Sequence, residues 1–513
     1  MLQMVGRHSG VAAGLHLAAV GGMSLAHTHA EAPAYRRRTP EKEPLYRVLA
    51  EHLETFLERT RSSDRQLPGH VEKELRAYLE CGILAHGFLR VRCEDCTHER
   101  AVAFSCQRRS FCPSCMGRRM VDTAARLIDE VLPPVPVRQW VLSLPFEIRY
   151  RLAWDGKLVS AVLAVFLRVV YGWYRRQAKE QGHADGRCGS VSFVQRFGSA
   201  LNLNPHFHVL MPDGVYITDE DGIPSFVRLP QLTDDDVQQI VETTSKRVVL
   251  LLQRRGVLEE GNVDALWEDE PLLATITAAS VQGQIATGER AGQRVRRRLI
   301  DPEEGVRSGP LCFASRGFSL HAATRVEATD RVRLEKLCRY VIRPPLAAGR
   351  LQILDAEHVA FSLKSIWSDG TYQIVLSPAE LLEKLAALVP PPRLNLVRYH
   401  GVLAPNATDR AQIVPGPKAA DEATDGGGEG EITSAQRRHR LAWAVLLARV
   451  FQFDLSVCDR CGGAVKIVAA VTAAGSIRRY LDGVGLPARA PPITPARPHP
   501  QQQFDMDSAA SAA

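Results

Sequence analysis

The 513-residue chain has few aromatic residues and no strong excess of either charge. Phe, Trp and Tyr make up 6% of it, and 64 Lys and Arg stand against 57 Asp and Glu, a formal net charge of +7. This small excess does not by itself indicate a nucleic-acid partner, so only local clusters of arginine can indicate one. We find no run that is long and apolar enough to span a bilayer, and we expect no membrane partner.

The cysteine content does not indicate a disulfide framework. The eleven cysteines are an odd number, and most of them lie in Cys-x-x-Cys pairs. Such pairs are typical of metal thiolates in a reducing compartment, so we predict a cytoplasmic protein. A chain of this length can bury more than one core, and we expect two or three domains.

The sequence divides into six segments. Residues 1–34 imitate a secretory signal, but Gly14, His16 and Gly21 interrupt the apolar stretch. We interpret this segment as a disordered extension, with export as the minority alternative. We predict a helical zinc-binding, DNA-contacting domain over 35–130, a catalytic domain over 131–410, a linker over 411–434, a C-terminal helix and Cys-x-x-Cys segment over 435–480, and a disordered tail over 481–513.

Two Cys-x-x-Cys pairs in the first domain indicate a metal site. Fifteen residues separate the inner cysteines, and each pair supplies two thiolates. We therefore predict one tetrahedral structural Zn²⁺ held by Cys93, Cys96, Cys112 and Cys115, with Cys106, His86 and His98 as alternative ligands. A third pair, Cys458 and Cys461, cannot complete a site by itself. Half of a shared site, a metal remnant and two free thiols all remain open for it.

Arginines cluster around these cysteines. Between Arg90 and Met120 there are seven arginines and three acidic residues. A zinc module with such a local excess is typical of a surface that grips phosphates, although a solvated face is the alternative. We predict DNA contacts from Arg108, Arg109, Arg118 and Arg119.

The step His206-Phe207-His208 predicts a second metal site. On a strand, side chains two residues apart point to the same face, so the two imidazoles can act as neighbouring ligands. A preceding strand over 190–197 would bring Gln195 close, and Gln195 is our candidate third ligand, with Asp213 as its competitor and a role in orienting an imidazole as the alternative. Such mixed ligation with open positions favours Mg²⁺ or Mn²⁺, which can polarise a phosphate.

A helix predicted over 329–341 carries a candidate nucleophile. Tyr340 lies at the edge of its buried stripe, one turn after Lys336 and beside Arg339 and Arg343. These three cations would neutralise an incoming phosphate and are candidate nucleic-acid contacts. A packing role at the rim of the core is the alternative for this tyrosine.

Several blocks of the chain together resemble one known family. They are CEDCTHERAVAFSCQRRSFCPSC (93–115), SFVQRFGSALNLNPHFHVLMPDGVY (192–216), FSLHAATRVEATDRVRLEKLCRYVIRPPLA (318–347), the segment 363–407 and VCDRCGG (457–463). In their types and order they are similar to the rolling-circle transposases of the insertion-sequence family numbered ninety-one, within the HUH-endonuclease superfamily. The resemblance covers roughly residues 35–475.

The resemblance implies a fold and a mechanism. It implies an α+β class, with an antiparallel sheet flanked by helices and preceded by a helical four-cysteine zinc-binding domain. His206 and His208 would hold the catalytic metal, and Tyr340 would attack single-stranded DNA to leave a 5′-phosphotyrosine and a free 3′-hydroxyl. Lys336 stands where two-tyrosine members carry a second tyrosine, so the chain resembles the single-tyrosine type.

Other functions and partners stay open at this point. A plasmid-type replication initiator or relaxase would use the same type of nuclease reaction. A transposase-derived DNA-binding regulator without catalysis would share the same sequence blocks. The expected partners are single-stranded element ends and target DNA, with the host replication machinery and a second copy of the chain as further candidates.

Overall fold

A computed structural model describes six stretches of the chain. They are residues 38–62, 66–258, 265–299, 309–347, 349–415 and 458–497. The predicted extension over 1–34, most of the predicted linker and residues 435–457 of the predicted C-terminal segment lie outside the described residues.

Twelve α-helices occur within these stretches. They are α1 (Pro44–Ser62), α2 (Gly69–Glu80), α3 (Pro113–Arg126), α4 (Phe146–Trp154), α5 (Gly156–Glu180), α6 (Asp234–Arg254), α7 (Ala265–Asp269), α8 (Pro271–Gln282), α9 (Arg331–Val341), α10 (Pro378–Leu388), α11 (Arg410–Ile413) and α12 (Ala474–Gly483). A π-helical turn, Leu127–Val131, follows α3 directly.

Sixteen strands lie between these helices in the described residues. They are β1 (Phe88–Cys93), β2 (Glu99–Ala103), β3 (Val137–Ser143), β4 (Gly189–Phe197), β5 (Leu203–Pro212), β6 (Gly214–Thr218), β7 (Pro224–Arg228), β8 (Arg296–Leu299), β9 (Cys312–Ser315), β10 (Phe318–His321), β11 (Arg325–Val326), β12 (Leu351–Ile353), β13 (Val359–Ser362), β14 (Thr371–Leu376), β15 (Val397–Gly401) and β16 (Val465–Val471).

The largest sheet is antiparallel and has the order β15-β4-β5-β3-β10-β9, with β11 paired to β3. A smaller sheet, β16-β1-β2, carries the N-terminal cysteines, a third has the order β12-β13-β14-β8, and β6 pairs with β7. This mixture of helices and antiparallel sheets confirms the α+β class.

The large sheet buries both of its faces. Alternate residues such as Phe207 and Val209 pack on one side against α5 and α6, and Leu210 packs on the other side against α9 and the π-helical turn. The period of two along a strand produces this division, because neighbouring side chains point to opposite faces. The histidines of β5 therefore lie on the face that α9 covers.

Helix α5 corrects one expectation from the sequence. It is the one described helix long and apolar enough, by length and composition, to cross a membrane, so the statement that no run qualifies was wrong. Its apolar side chains, Val162, Phe166 and Trp173 among them, are buried against the large sheet. The apolar side chains that give α5 its high hydropathy pack in the core of the protein.

The described part of the predicted tail is ordered by contacts with α1. The Thr494 backbone N–H donates to the Ala50 carbonyl at 2.8 Å, and the Arg497 N–H donates to Thr55 Oγ1 at 3.0 Å. Arg497 also pairs with Glu51 at 3.0 Å. The disorder predicted from residue 481 is therefore wrong up to residue 497, and residues 498–513 lie outside the described part.

A buried carboxylate joins β5 to its neighbours. Asp213 accepts hydrogen bonds from Arg138 Nε and Nη2 at 2.8 and 2.9 Å, from Tyr174 Oη at 2.8 Å and from Arg325 Nε at 2.6 Å. Burial opposes its charge, but Arg138 and the other donors hold the pKa of Asp213 below its usual range. With its oxygens engaged in this way, Asp213 is not available as the third metal ligand.

We expect Asp213→Asn to lower the free energy of unfolding by about 3 kcal/mol or more, because it leaves the buried Arg138 guanidinium without its counter-charge. Urea denaturation followed by circular dichroism measures this loss. Asp221→Asn, at an exposed position, is the matched control and should change stability by less than about 0.5 kcal/mol. Equal stabilities of the two variants would contradict this account of the ion pair between Asp213 and Arg138.

Candidate metal and tyrosine site

The two histidines lie side by side at the centre of the large sheet. Strand β5 is paired with β4 on one side and β3 on the other, so its backbone is fixed by two ladders. The rings of His206 and His208 have centroids 5.0 Å apart, and the side chains are 8% and 3% exposed. A rigid strand therefore presents two adjacent imidazoles on one face, as the sequence predicts.

Both imidazoles are held in the neutral form. Burial lowers the pKa of His206 to about 4, and Arg343 and Arg149 act in the same direction. Burial, His206 and Arg343 lower the pKa of His208 well below its usual range. At neutral pH each ring therefore keeps a lone pair, which is the form that binds a metal ion.

A hydrogen bond orients each ring through its Nδ1. The Nδ1 of His206 lies 2.7 Å from the Asn204 carbonyl oxygen, so this nitrogen donates and leaves Nε2 as an acceptor. Gln139 Nε2 lies 2.7 Å from the Nδ1 of His208 and donates to it in this orientation of the carboxamide. A turn of the carboxamide, which fits the same space, places its oxygen against this nitrogen and leaves Nε2 of His208 free to bind a metal.

Gln195 connects the histidines to α9. It lies directly opposite His206 in the β4–β5 ladder, and its Nε2 donates to the Val341 carbonyl at 2.8 Å. Its Oε1 is buried and has no hydrogen-bond partner among the described residues. A buried carbonyl oxygen without a donor, beside two neutral imidazoles, fits an oxygen ligand for a divalent cation.

Helix α9 brings Tyr340 to the same place. Its ring meets the His208 ring edge-on, with centroids 5.8 Å apart, and its side chain is 38% exposed. Asp330, rather than the preceding Thr329, caps the helix, because its side chain accepts from the Arg333 N–H at 2.9 Å. The tyrosine is thus accessible to solvent while it touches the histidine pair.

Cations cover the ring of this tyrosine. Arg343 lies 4.8 Å and Lys364 lies 4.6 Å from the Tyr340 ring centroid. Within the described part of the chain, neither cation pairs with a carboxylate. Burial lowers the pKa of Lys364, and Arg343 and Arg350 lower it further. Cations that crowd together without a counter-charge favour the binding of an anion.

The other cations predicted on α9 differ in their partners. Arg339 forms an ion pair with Glu335 at 2.6 Å, so its charge is partly neutralised within the helix. Lys336 is exposed on the outer side of α9. Lys364 comes from a distant loop, and the sequence missed Gln139, which lies on β3.

A cavity of about 300 Å³ opens at Asn204, two residues before His206 on β5. Asn204, Trp367, Arg297 and Lys384 contribute to its walls. The Arg297 guanidinium lies 5.0 Å from the Trp367 ring centroid. Lys384 is only 3% exposed and makes no hydrogen bond within the described residues, and burial lowers its pKa to about 8.

The structure separates the four cysteines that the sequence assigns to one zinc ion. Cys112 and Cys115 converge with Cys81 and Cys106, whereas Cys93 and Cys96 converge with Cys458 and Cys461. The prediction of a single site was therefore wrong in its pairing. The inner cluster is defined as Cys81, Cys106, Cys112 and Cys115, and the outer cluster as Cys93, Cys96, Cys458 and Cys461.

The inner cluster has the dimensions of a tetrahedral zinc site. Three of its sulfur pairs lie 3.4 to 3.6 Å apart, and all four sulfur atoms lie within 4.8 Å of one another. These distances are far beyond a disulfide bond and near the roughly 3.8 Å edge expected for thiolates about 2.3 Å from a central ion. Contacts with the other thiols lower the pKa of Cys115 well below its usual range. Cys112 precedes α3 and Cys115 lies in its first turn, so a metal here would fix the start of that helix.

The predicted DNA-contacting arginines lie around this inner cluster. Arg109 is exposed, Arg108 is half-buried, and Arg118 and Arg119 project from α3. Arg119 Nη2 donates to the Gln107 carbonyl at 3.4 Å. Elsewhere in the domain Arg90 is neutralised by Glu99 at 2.6 Å, so the arginine cluster is only partly available to a ligand.

Two family models match this chain. Residues 189–411 match the family described as "Putative transposase", and residues 48–144 match the "Transposase zinc-binding domain". The chain is 22% identical, over 330 residues, to the transposase for insertion sequence element IS801 of Pseudomonas savastanoi pv. phaseolicola. The matched stretch covers 64% of this chain and 68% of that relative. No solved structure matches it.

Together these matches support a transposase of the family numbered ninety-one with an N-terminal zinc-binding domain, as the resemblance of its sequence blocks implied. The inner cluster lies within the matched zinc-binding region, and its sulfur geometry fits the structural Zn²⁺ that this domain supports. His206, His208 and Tyr340 lie within the other matched region, 189–411.

We expect Cys106→Ser to reduce the zinc content of the transposase by one ion per chain, because a hydroxyl is a much poorer zinc ligand than a thiolate. Native mass spectrometry of the purified protein measures the stoichiometry. Cys312→Ser removes a thiol outside both clusters and should leave it unchanged. Full zinc content in the Cys106 variant would refute the assignment of the inner cluster.

Proposed function

We propose that this transposase cleaves and rejoins single-stranded DNA with Tyr340 as its nucleophile. The observation that carries the proposal is the contact between Tyr340 and His208, whose ring centroids are 5.8 Å apart. Arg343 and Lys364, which pair with no carboxylate among the described residues, lie over the tyrosine ring. A hydroxyl, a candidate metal site and free positive charge meet at one accessible point. These are the parts that phosphoryl transfer requires.

The reaction begins with attack on the DNA backbone. The Tyr340 oxygen forms a bond to phosphorus while the bond from phosphorus to the 3′-oxygen breaks. The phenol proton passes to solvent water, and the leaving 3′-oxygen takes a proton from water. The products are a 5′-phosphotyrosine ester and a free 3′-hydroxyl, and attack by a 3′-hydroxyl on the ester reverses the step and rejoins a strand.

His206 and His208 would hold a divalent cation, Mg²⁺ or Mn²⁺, with Gln195 Oε1 as the third ligand. When bound, such an ion polarises the phosphate and stabilises the charge that develops on it. The protein itself orients the rings through Asn204 and Gln139 and supplies positive charge from Arg343 and Lys364. Preorganised charge of this kind is usually the largest contribution to catalysis.

The cavity at Asn204 supports a single-stranded substrate. Trp367 and Arg297 form a stacked pair at its wall, and unpaired bases stack on aromatic and guanidinium planes. The buried Lys384 offers a donor, and the unpartnered Asn204 Oδ1 offers an acceptor. Bases of a duplex are engaged with each other and could not fill this cavity.

Tyr340→Phe should abolish the covalent adduct between the protein and DNA. The assay uses single-stranded oligonucleotides from the ends of the encoding element, labelled at the 3′ end, with Mn²⁺ and denaturing electrophoresis. Tyr372→Phe removes a hydroxyl from another partly buried tyrosine and should leave the adduct intact. An adduct of wild-type yield from Tyr340→Phe would overturn the assignment, and DNA binding without any nicking would favour a regulator.

Gln195→Leu should weaken Mn²⁺ binding at the histidine site by about tenfold or more, because it removes an oxygen ligand. Electron paramagnetic resonance titration of free Mn²⁺ gives the affinity. The matched control is Gln373→Leu, which alters another buried carboxamide on β14. Equal Mn²⁺ affinity in both variants would exclude Gln195 as a ligand.

Trp367→Leu should weaken binding of single-stranded oligonucleotides by roughly 1–3 kcal/mol, the usual value of one stacked base. Fluorescence anisotropy with Tyr340→Phe as the background measures binding without cleavage. Trp267→Leu changes an exposed tryptophan on α7 and should have little effect. If Trp267→Leu weakens oligonucleotide binding as much as Trp367→Leu does, the cavity does not bind a base.

A further inference from the structure

The outer cluster joins two Cys-x-x-Cys pairs that are far apart in sequence. Cys93 Sγ lies 3.5 Å from Cys461 Sγ, and Cys96 Sγ lies 3.6 Å from Cys458 Sγ. All four sulfur atoms lie within 4.8 Å of one another. These separations are too long for a disulfide of about 2.05 Å and close to the roughly 3.8 Å edge of a zinc–thiolate tetrahedron.

The backbone around both pairs is shaped for this meeting. The Cys93 N–H donates to the His98 carbonyl at 2.9 Å, and the Cys458 N–H donates to the Gly463 carbonyl at 2.8 Å, so each pair sits in a tight turn. The Glu94 N–H then donates across to the Ala464 carbonyl at 2.8 Å. The turns are therefore hydrogen-bonded to each other next to the sulfur atoms.

The last two positions of the sequence VCDRCGG are glycines for structural reasons. Gly462 has a φ of 75°, a left-handed conformation that glycine adopts without strain. At Gly463 a Cβ would collide with the Asp95 side chain, which belongs to the opposite pair. A side chain at this position would therefore require the Asp95 side chain to move.

The segment that follows the outer cluster has little apolar support. Strand β16 pairs with β1 from Phe88↔Val471 to Cys93↔Val465, but its Ile467 and Val468 are 44% and 43% exposed. The associated buried cluster contains Leu84, Phe88, Ala101, Ile477 and Leu481. A strand this exposed and a core this small need an additional constraint to stay docked.

We propose that the outer cluster is a second structural zinc site, a clasp that holds the C-terminal segment on the zinc-binding domain. Cys93 and Cys96 would bind one side of the ion and Cys458 and Cys461 the other. The last two lie outside both matched regions, 48–144 and 189–411, and the resemblance of the block VCDRCGG assigns no role to them. The clasp makes β16 the third strand of the sheet β16-β1-β2.

The two clusters differ in their access to solvent. Cys96 and Cys461 are exposed in the outer cluster, whereas no member of the inner cluster is exposed. A chelator can therefore reach the outer ion first. Its removal releases β16 and α12 from β1 while the inner cluster and the large sheet keep their structure.

Native mass spectrometry of the full chain tests the number of ions. Wild type should carry two Zn²⁺, and Cys458→Ser with Cys461→Ser should carry one. Cys312→Ser, the thiol control, should retain two. A single Zn²⁺ in wild type, or two in the double variant, would overturn the proposal.

Hydrogen exchange tests whether the ion holds the segment in place. In the double variant, amides of β1 and β16 should lose protection by at least tenfold, and amides of β4 and β5 should keep theirs. A titration of wild type with a chelator should release one Zn²⁺ before the other and produce the same loss. Unchanged protection of β16 after release of the first ion would contradict the clasp, as would a disulfide between Cys93 and Cys461 in the mass spectrum.

Discussion

The hydrogen bond from Gln195 Nε2 to the Val341 carbonyl, at 2.8 Å, ties the tyrosine helix to the strand beside the histidines. Gln195 is fixed by the β4–β5 ladder, and Val341 directly follows Tyr340 at the end of α9. The same side chain therefore sets the position of the hydroxyl and presents Oε1 towards the histidine side of the sheet. A nucleophile and a cation must be aligned for in-line displacement, and one carboxamide controls both in this account.

The zinc-binding domain supports this alignment from the opposite side of α9. Helix α3 begins at the inner cluster and packs against α9, and the buried Ala124, Leu334 and Cys338 belong to one core. The guanidinium of Arg331, at the start of α9, donates to the Leu132 carbonyl at 3.1 Å. The tyrosine helix thus lies between the large sheet and a helix whose first turn carries two cysteines of the inner cluster. In the proposed mechanism, the inner cluster and the nucleophile Tyr340 are therefore linked through packing.

The sequence predicted the local elements better than the long-range pairings. Strand period and spacing located β4, β5 and α9 and placed His206 opposite Gln195, because neighbouring strands with a short connection have few possible registers. Four cysteines at regular spacing suggested one zinc site, yet Cys112 and Cys115 pair with Cys81 and Cys106, and Cys93 and Cys96 pair with Cys458 and Cys461. Ligand pairing over long stretches of sequence depends on the tertiary fold, and spacing alone does not encode it. Gln139 was missed for the same reason.

Anomalous diffraction from crystals soaked in Mn²⁺, recorded at the manganese edge, tests the central claim most directly. The account predicts a peak bounded by the Nε2 atoms of His206 and His208 and by Gln195 Oε1, next to the Tyr340 hydroxyl. A crystal in which manganese occupies other positions while the histidine site stays empty, or in which Tyr340 lies far from the bound ion, would contradict it.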